Sequence, residues 1–345
     1  MFAIYSSMSR ALDDMVIITS PQAEAFARSM YGALLKKAGK GYDGIPFSTI
    51  SVEPFNNGEI GVQIPQNLRK RDVYVVHTFS NGGVYEPNTS LIELYLIDDA
   101  VRRASANEIT YVLPHIPYQR QDMKDKPRVP ISAKRVMDML ILYSNPPTRI
   151  VTFDMHAGQI QGFSQCPVDN LEALPLFLEY FKSDGFPPDI TVVSPDAGGV
   201  KRARAMAHKM GAGLAIIDKR RFPRDEAEPM GLFGEVTPTA IIVDDMVDSG
   251  GTLLKGASLL REHGAKEIYA CCTHAILSPS NGTTAEEKFA NSGIRLVATD
   301  TVPRSDAYLE ANKSWLTMLS VADMAGDAIH RIQTGASVSE LFRGY

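Results

Sequence analysis

Cysteine is scarce in this chain. Three occur in 345 residues, and two of them, Cys271 and Cys272, are neighbours in an apolar run. That usage argues for reduced thiols in a cytoplasmic protein rather than a fold held by disulfides. Long hydrophobic runs are missing too: none approaches the ~20 residues that a membrane-spanning helix needs. The first residues, MFAIYSSMSRALDDMV, place Arg10, Asp13 and Asp14 where a signal peptide requires an unbroken apolar core. Nor is there an excess of positive charge. Against 40 acids stand 35 Lys and Arg, a formal net charge of −5. Nothing therefore draws the whole molecule to nucleic acid or an anionic membrane, and any phosphate site has to be local. A soluble, cytoplasmic protein is expected. What is present is ordinary for a globular chain, with 44% hydrophobic and 22% charged residues. The length suggests about two domains, each with its own core.

Short β-branched runs alternate with amphipathic stretches. Strand candidates in the first half are MVIIT (15–19), VYVVHTF (73–79), EITYVLP (108–114) and RIVTFD (149–154). In the second half they are DITVVSPD (189–196), LAIID (214–218), TAIIVDD (239–245), EIYACCTHA (267–275) and IRLVATD (294–300). Helix candidates include SLIELYLIDDAVRRASA (90–106) and TLLKGASLLREHGA (252–265). The alternation predicts an α/β fold of parallel sheets flanked by helices. Near-continuous apolar strands predict sheets covered on both faces. The halves also match each other. Ser90–His115, a helix leading into ASANEITYVLPH, parallels Ser249–His274, a helix leading into HGAKEIYACCTH. Two domains of one topology are expected, joined near Cys166–Leu174. They differ at the turn before that helix, which reads TFSNGGVYEPN in the first half and VDDMVDSGG in the second. One acid-rich turn predicts one active site per chain.

That turn lies in IIVDDMVDSGGTLL (241–254). Ser249-Gly250-Gly251-Thr252, after a strand and before a helix, can present successive backbone N–H groups to an anion, with glycine permitting close approach. No Gly-Lys-Ser/Thr follows, so it is not a Walker A loop. Asp244, Asp245 and Asp248 would repel a bare phosphate and must face hydroxyl donors or a cation. Ribose 5-phosphate satisfies both halves of the turn, with a phosphate at one end and vicinal hydroxyls at the other. Taken alone, an Asp-x-Gly is more often a helix N-cap, here Asp248. The full pattern resembles the phosphoribosyl-diphosphate (PRPP) loop of the phosphoribosyltransferase fold.

Other stretches choose among the functions of that fold. Arg120-Gln121-Asp122, in a Pro-punctuated charged segment ending in Pro-Ile-Ser-Ala-Lys, resembles the ATP-binding segment of the ribose-phosphate diphosphokinases, or PRPP synthetases. Phe55-Asn56-Asn57-Gly58-Glu59 is similar to that family's FxDGE hairpin, with Asn57 at the usual Asp. DMHAGQIQGF (154–163), SPDAGGVKRARA (194–205), IIDKRR (216–221) and SVSELF (337–342) match as well. The resemblance implies two phosphoribosyltransferase-like domains related by internal duplication, each a mainly parallel sheet flanked by helices. The expected bounds are 1–168, completed by the C-terminal segment 326–345, and 169–325.

The resemblance also implies an activity: transfer of the β,γ-diphosphoryl group of ATP to the 1-hydroxyl of ribose 5-phosphate, giving PRPP and AMP. Such a transfer rests on alignment and on cations that meet the developing phosphoryl charge. Lys219 and Arg221 are the catalytic candidates. They open FPRDEAEPMGLF, a stretch with little periodic pattern that is expected to close over the phosphates. Asp244 and Asp245 are expected on the ribose hydroxyls, and Asp248, Ser249, Gly250, Gly251 and Thr252 around the 5-phosphate. Asp248 is left between capping the helix and lying near the anomeric centre. For ATP the candidates are Phe55, Asn57, Gly58, Glu59, Arg120, Gln121 and Asp122. Phe55 and Arg120 would sandwich the adenine, and the hairpin would reach into a neighbouring subunit. His156 and Asp196 are the candidate Mg2+ ligands, while His77, His115 and His274 fit better as core histidines. The partners implied are ATP, ribose 5-phosphate and further copies of the chain, with a dimer as minimal unit and a hexamer possible. A plain phosphoribosyltransferase leaves the RQD segment, KRR and the duplicated half without a purpose. A non-catalytic regulatory paralogue should show an interrupted catalytic loop, and Lys219 and Arg221 are intact.

Overall fold

The computed structural model describes residues 12–39, 44–81, 84–140, 145–183, 186–219 and 230–342. The chain forms two compact units. One comprises Met1–Glu172, Thr301–Pro303 and Val321–Gly344; the other comprises Ala173–Asp300 and Arg304–Ser320. The first stretch of chain passes into the second unit after Glu172, four residues beyond the 168/169 boundary read from the sequence, and the C-terminal return begins at Val321 rather than 326.

In the first unit β1 (Met15–Thr19), β2 (Phe47–Thr49), β5 (Asp72–Val76), β8 (Glu108–Val112), β9 (Thr148–Phe153) and β10 (Val168–Leu171) form one sheet. Its order is β10-β9-β8-β5-β1-β2, and every pairing is parallel. β1 is buried at all five residues, as its unbroken apolar sequence requires when both faces are covered. Two short antiparallel hairpins interrupt the order, β3 (Ser51–Pro54) with β4 (Ile60–Gln63), and β6 (Ser80–Asn81) with β7 (Val84–Tyr85). Helices α1 (Glu24–Ala38), α2 (Pro87–Arg103) and α3 (Ser132–Leu140) belong to this unit. Pro at the first helical position starts α2, where a missing N–H costs nothing. Arg102 and Arg103 end it, each bonded to an acid one turn back, Asp98 at 2.8 Å and Asp99 at 2.6 Å. Its buried face, Leu91, Leu94, Ile97 and Val101, packs on Val75, Ile109 and Tyr111 in one core.

The second unit repeats this plan. β11 (Ile190–Ser194), β12 (Gly213–Lys219), β13 (Met230–Phe233), β14 (Thr239–Val247), β15 (Glu267–Ala275), β16 (Ile294–Thr299) and β17 (Leu316–Leu319) stand in the order β13-β12-β11-β14-β15-β16-β17. β13, antiparallel to β12, is the extra strand. Without it, both main sheets read 2-1-3-4-5-6 by order of entry, so the duplicated sequence corresponds to a duplicated topology. Helices α4 (Leu174–Phe181), α5 (Val200–Met210), α6 (Gly251–Glu262), α7 (Ala285–Ala290) and α8 (Asp306–Asn312) accompany this sheet.

The chain then returns to the first unit as α9 (Ala322–Thr334), which packs on α1. Gly326 makes the contact possible, since a Cβ there would lie 2.8 Å from both Ala33 Cβ and Met30 O. Asp327 bonds Lys37 at 2.8 Å, and Gln333 joins Tyr74 and Asp72, each at 2.9 Å.

Candidate active site

In an open parallel sheet, ligands collect at the carboxyl ends of the strands, where the winding direction reverses. In the second unit that point lies between β11 and β14, because the chain steps from β11 outward to β12 and later returns to the other side. The C-terminal ends of β12, β11 and β14 carry, in that order, Lys219, Asp196 and the Asp244–Thr252 stretch. The described part of Lys219 is its backbone, paired with Met230 across the β12–β13 ladder. Arg221 lies outside the described residues. Part of the stretch read as unpatterned is a strand: Met230–Phe233 pairs antiparallel with Ile216–Lys219.

Asp196 is fixed by its own turn, its Oδ1 accepting the Gly198 and Gly199 N–H groups at 2.9 and 3.1 Å. Ser194 Oγ donates to the Asp196 carbonyl at 2.7 Å. A carboxylate so oriented at a strand end suits a hard divalent cation. Asp244 and Asp245 occupy the last part of β14. Asp244 Oδ1 accepts the Asp245 N–H at 2.9 Å, and Arg202 Nη1 on α5 reaches Asp245 Oδ1 at 3.3 Å and Asp244 Oδ1 at 3.7 Å. Burial, and then the charge of Asp245 beside it, push the Asp244 carboxyl up to about 7, with Arg202 opposing. Two acids sharing one arginine can accept from two adjacent hydroxyls, which is what the vicinal diol of a pentose offers.

The turn itself removes one of the two readings left open for Asp248. Asp248 is not the N-cap of α6: that position belongs to Gly250, two residues later, at φ 74° and ψ −7°. A left-handed residue is needed to swing the chain from β14 into α6, and a Cβ on Gly250 would also stand 2.9 Å from the Phe289 ring. The first N–H groups of α6, from Gly251 onward, have no intrahelical carbonyl, so the helix start presents donors and the positive end of its dipole. Ser249, Gly251 and Thr252 line the same short arc.

In the first unit the candidates gather in two places. Phe55, Asn57, Gly58 and Glu59 form the tip of the β3–β4 hairpin. Only Gly58 there has a positive φ, 88°, with Phe55 N–H bonding Glu59 O at 2.7 Å and Gly58 N–H bonding Phe55 O at 2.9 Å. This is a longer, bulged loop and not the type I′ turn that Asn-Gly suggests, because I′ needs positive φ at both central residues. Asn57 Nδ2 donates to Glu59 Oε2 at 2.8 Å. Phe55, 54% exposed, lines a groove of about 600 Å³ with Ile92 and Leu96 of α2. Arg120 does not line that groove.

Arg120, Gln121, Asp122 and His156 come together instead at the carboxyl ends of β8 and β9. Gln119, a residue the sequence reading passed over, is 2% exposed and joins the two loops, its Oε1 accepting the His156 N–H at 2.9 Å. Gln159 Nε2 donates to Asp122 Oδ2 at 3.1 Å, and Ser132 Oγ bonds Gln121 Oε1 at 2.5 Å. Tyr118 (φ 65°) and Asp154 (φ 34°), two residues before Arg120 and His156, hold left-handed backbone that side chains seldom adopt; such strain concentrates at functional sites. His77, His115 and His274 are buried, as core histidines. His77 Nε2 meets Ser90 O at 3.0 Å, and burial pulls its imidazole down to about 4, so it is neutral.

The first unit has the same reversal point, between β1 and β5. There Ser80 Oγ lies 3.3 Å from the carbonyl of Pro303, in the returning Thr301–Pro303 segment. Sequence reasoning also missed Arg202 and Lys288, whose Nζ lies 3.3 Å from Ser249 O. Arg202 stands inside the quoted SPDAGGVKRARA stretch, but its pairing with two aspartates on another strand is visible only in three dimensions. Among the described residues no helix is long and apolar enough to cross a membrane, and no cluster of three or more His, Cys, Asp or Glu forms a ready-made metal cage.

The chain has clear relatives. The family described as the N-terminal domain of ribose phosphate pyrophosphokinase matches residues 15–142, and the phosphoribosyl synthetase-associated domain matches residues 218–343. The ribose-phosphate pyrophosphokinase of Fusobacterium nucleatum is 43% identical over 304 residues, covering 87% of this chain and 92% of that protein. The one from Aquifex aeolicus is 43% identical over 304 residues, covering 88% and 93%. The crystal structure of phosphoribosylpyrophosphate synthetase from Mycobacterium smegmatis matches with a TM-score of 0.81 at 32% identity, over 93% of this chain and 99% of that one.

Proposed function

The chain belongs to the ribose-phosphate pyrophosphokinase family, and from that premise we propose how its own residues divide the work of making PRPP. The activity is that of a ribose-phosphate diphosphokinase, which moves the β,γ-diphosphoryl group of ATP to the 1-hydroxyl of ribose 5-phosphate and releases AMP. One observation carries the residue assignment: an acid pair and an N–H-presenting turn follow each other at the β11/β14 reversal point of the second unit.

Asp244 and Asp245 accept from the ribose hydroxyls, and Asp248–Thr252 receive the 5-phosphate through backbone N–H groups and the Ser249 and Thr252 hydroxyls. The sugar is thereby held at both ends, which aligns its 1-oxygen for attack on the β-phosphorus. As that bond forms, the 1-hydroxyl gives up its proton to solvent, the bond from the β-phosphorus to the α,β-bridging oxygen breaks, and its electron pair leaves on AMP. Negative charge grows on the phosphoryl and bridging oxygens, and Lys219 and Arg221 meet it as cations. Asp196, with its carboxylate set at the strand end, would be a ligand for Mg2+, whose charge, when bound, offsets that of the ATP phosphates, and in the first unit His156 is the candidate ligand. Arg120 offers a guanidinium plane to the adenine, with Gln121 and Asp122 beside it.

The hairpin carrying Phe55 and Glu59 lines a groove with Ile92 and Leu96 of α2, and Arg120 is not among the residues that line it. That arrangement supports a site in which one chain supplies the hairpin and another the Arg120 segment, so we assign a homo-oligomer with a dimer as the smallest active unit. A soluble enzyme of the cytoplasm fits the reduced cysteines and the absence of a membrane-spanning helix among the described residues. The test is direct. AMP should form from ATP with Mg2+ and phosphate only when ribose 5-phosphate is added, with PRPP in equal amount; ATP consumption indifferent to the sugar would sink the assignment.

A further inference from the structure

The carbonyl oxygens of the phosphate turn are taken up on one side. Val247 O accepts from the Ile276 and Leu277 N–H groups at 2.9 and 3.1 Å, and Asp248 O accepts from Ser278 N–H at 3.2 Å. Gly250 O takes the Leu254 N–H at 3.0 Å. Ser249 O, between them, is met by a side chain, the ammonium of Lys288 on α7 at 3.3 Å. The same Nζ donates to Ser280 Oγ at 2.6 Å, which anchors it. The next residue, Phe289, is fully buried and sets how closely α7 approaches Gly250.

In a trans peptide unit the C=O and N–H point in opposite directions. Ser249 C=O and Gly250 N–H share one unit, so drawing that oxygen toward α7 turns the Gly250 N–H the other way, into the arc of donors at the helix start. The ammonium adds a formal positive charge directly behind the peptide. It stands near the one site in this unit where a dianion is expected.

We propose that Lys288 is a positioning residue for ribose 5-phosphate, locking the Ser249–Gly250 peptide with its N–H toward the sugar's phosphate and backing it with charge. It acts through the peptide and need not touch the ligand. The inference rests on the reading of Asp248–Thr252 as the 5-phosphate site, and the test separates the two.

Binding of ribose 5-phosphate, ribose and ATP is measured by calorimetry on the full chain for wild type, Lys288→Met, Lys288→Arg and Ser280→Ala. Lys288→Met should weaken ribose 5-phosphate by about tenfold, the worth of one hydrogen bond to a charged group. ATP binding and kcat at saturating sugar phosphate should stay within about twofold, a KM effect without a kcat effect. Lys288→Arg should recover most of the affinity, and Ser280→Ala, which only loosens the anchor, should lose roughly two- to threefold. Wild type that binds ribose and its 5-phosphate alike would remove the phosphate assignment and the inference with it. Wild type that prefers the phosphate, with Lys288→Met and Ser280→Ala preferring it equally, overturns the inference alone. So does a parallel loss of ATP binding, which would mark Lys288 as merely structural.

Discussion

Asp244 is half-buried beside a second carboxylate, and its acid–base behaviour follows from that placement. Its folded-state pKa, pushed up to about 7, lies above its ordinary value of 3.8. The native chain therefore keeps a proton that the unfolded chain has lost between these values, and this group's contribution to stability falls as pH rises from 4 toward 7. Ribose hydroxyls need an ionised acceptor, so affinity for ribose 5-phosphate should climb between pH 6 and 8. Arg202→Met, which removes the opposing cation, should move that rise to higher pH, and a profile unchanged by the substitution would show that Arg202 does not tune the pair. Lys219→Ala belongs to the same scale. If Lys219 meets charge only in the transition state, the substitution should lower kcat by at least ~10²-fold and leave ribose 5-phosphate affinity nearly intact. Equal losses in kcat and in binding, from steady-state kinetics and calorimetry, would make it a binding residue instead. The acids and glycines of the turn were readable because their chemistry is local. Arg202, Gln119 and Lys288 were not, because each earns its place by a partner 37 to 43 positions away in the chain.

At the scale of elements, the strands found by pattern were the buried ones, five to nine residues long and mostly apolar, such as β1 and β15. The short edge strands were not found. β2 has three residues, all half-buried, and β10 and β17 have four each; these form because a neighbouring strand offers its free edge, which no local pattern records. β13 is of the same kind, pairing antiparallel with the end of β12. The turn before α6 depends on two elements at once. Gly250→Ala places a methyl 2.9 Å from the Phe289 ring on a backbone of φ 74°. The substitution should lower stability by roughly 1–3 kcal/mol and weaken ribose 5-phosphate binding together, because relief comes only by moving the turn or α7. Chemical denaturation and calorimetry on the same sample check both; a loss of stability with unaltered binding would mean that the turn does not carry the phosphate.

For the whole molecule, the duplicated halves share a sheet order, and the site proposed for ribose 5-phosphate lies in the second. In the second unit the reversal point ends in acids and an N–H-rich turn. In the first, Ser80, after the end of β5, meets the returning chain at Pro303. If the β3–β4 hairpin serves the site of a partner chain, two inactive variants should complement each other: Phe55→Ala, defective in the hairpin, and Lys219→Ala, defective at the second unit. Equal mixtures, dissociated and reassembled as dimers, should regain about a quarter of wild-type activity, since half the dimers are mixed and each of these has one intact site. Mixtures as inactive as their parents would show that one chain furnishes both parts.

Local chemistry specified the α/β class, the internal repeat and the acid-and-glycine turn proposed for ribose 5-phosphate, because apolar period, glycine placement and charge are properties of neighbouring residues. The family likeness added the reaction. Three-dimensional folding alone decided which residues hold those groups in place: the arginine between the two aspartates, the glutamine joining the Arg120 and His156 loops, the lysine behind Ser249. It also decided that α9 returns to the first unit through the close contact at Gly326. The physical reason is the same in each case. A side chain's partner across the fold is chosen by the packing of sheets and helices, and that packing is settled only when distant parts of the chain meet.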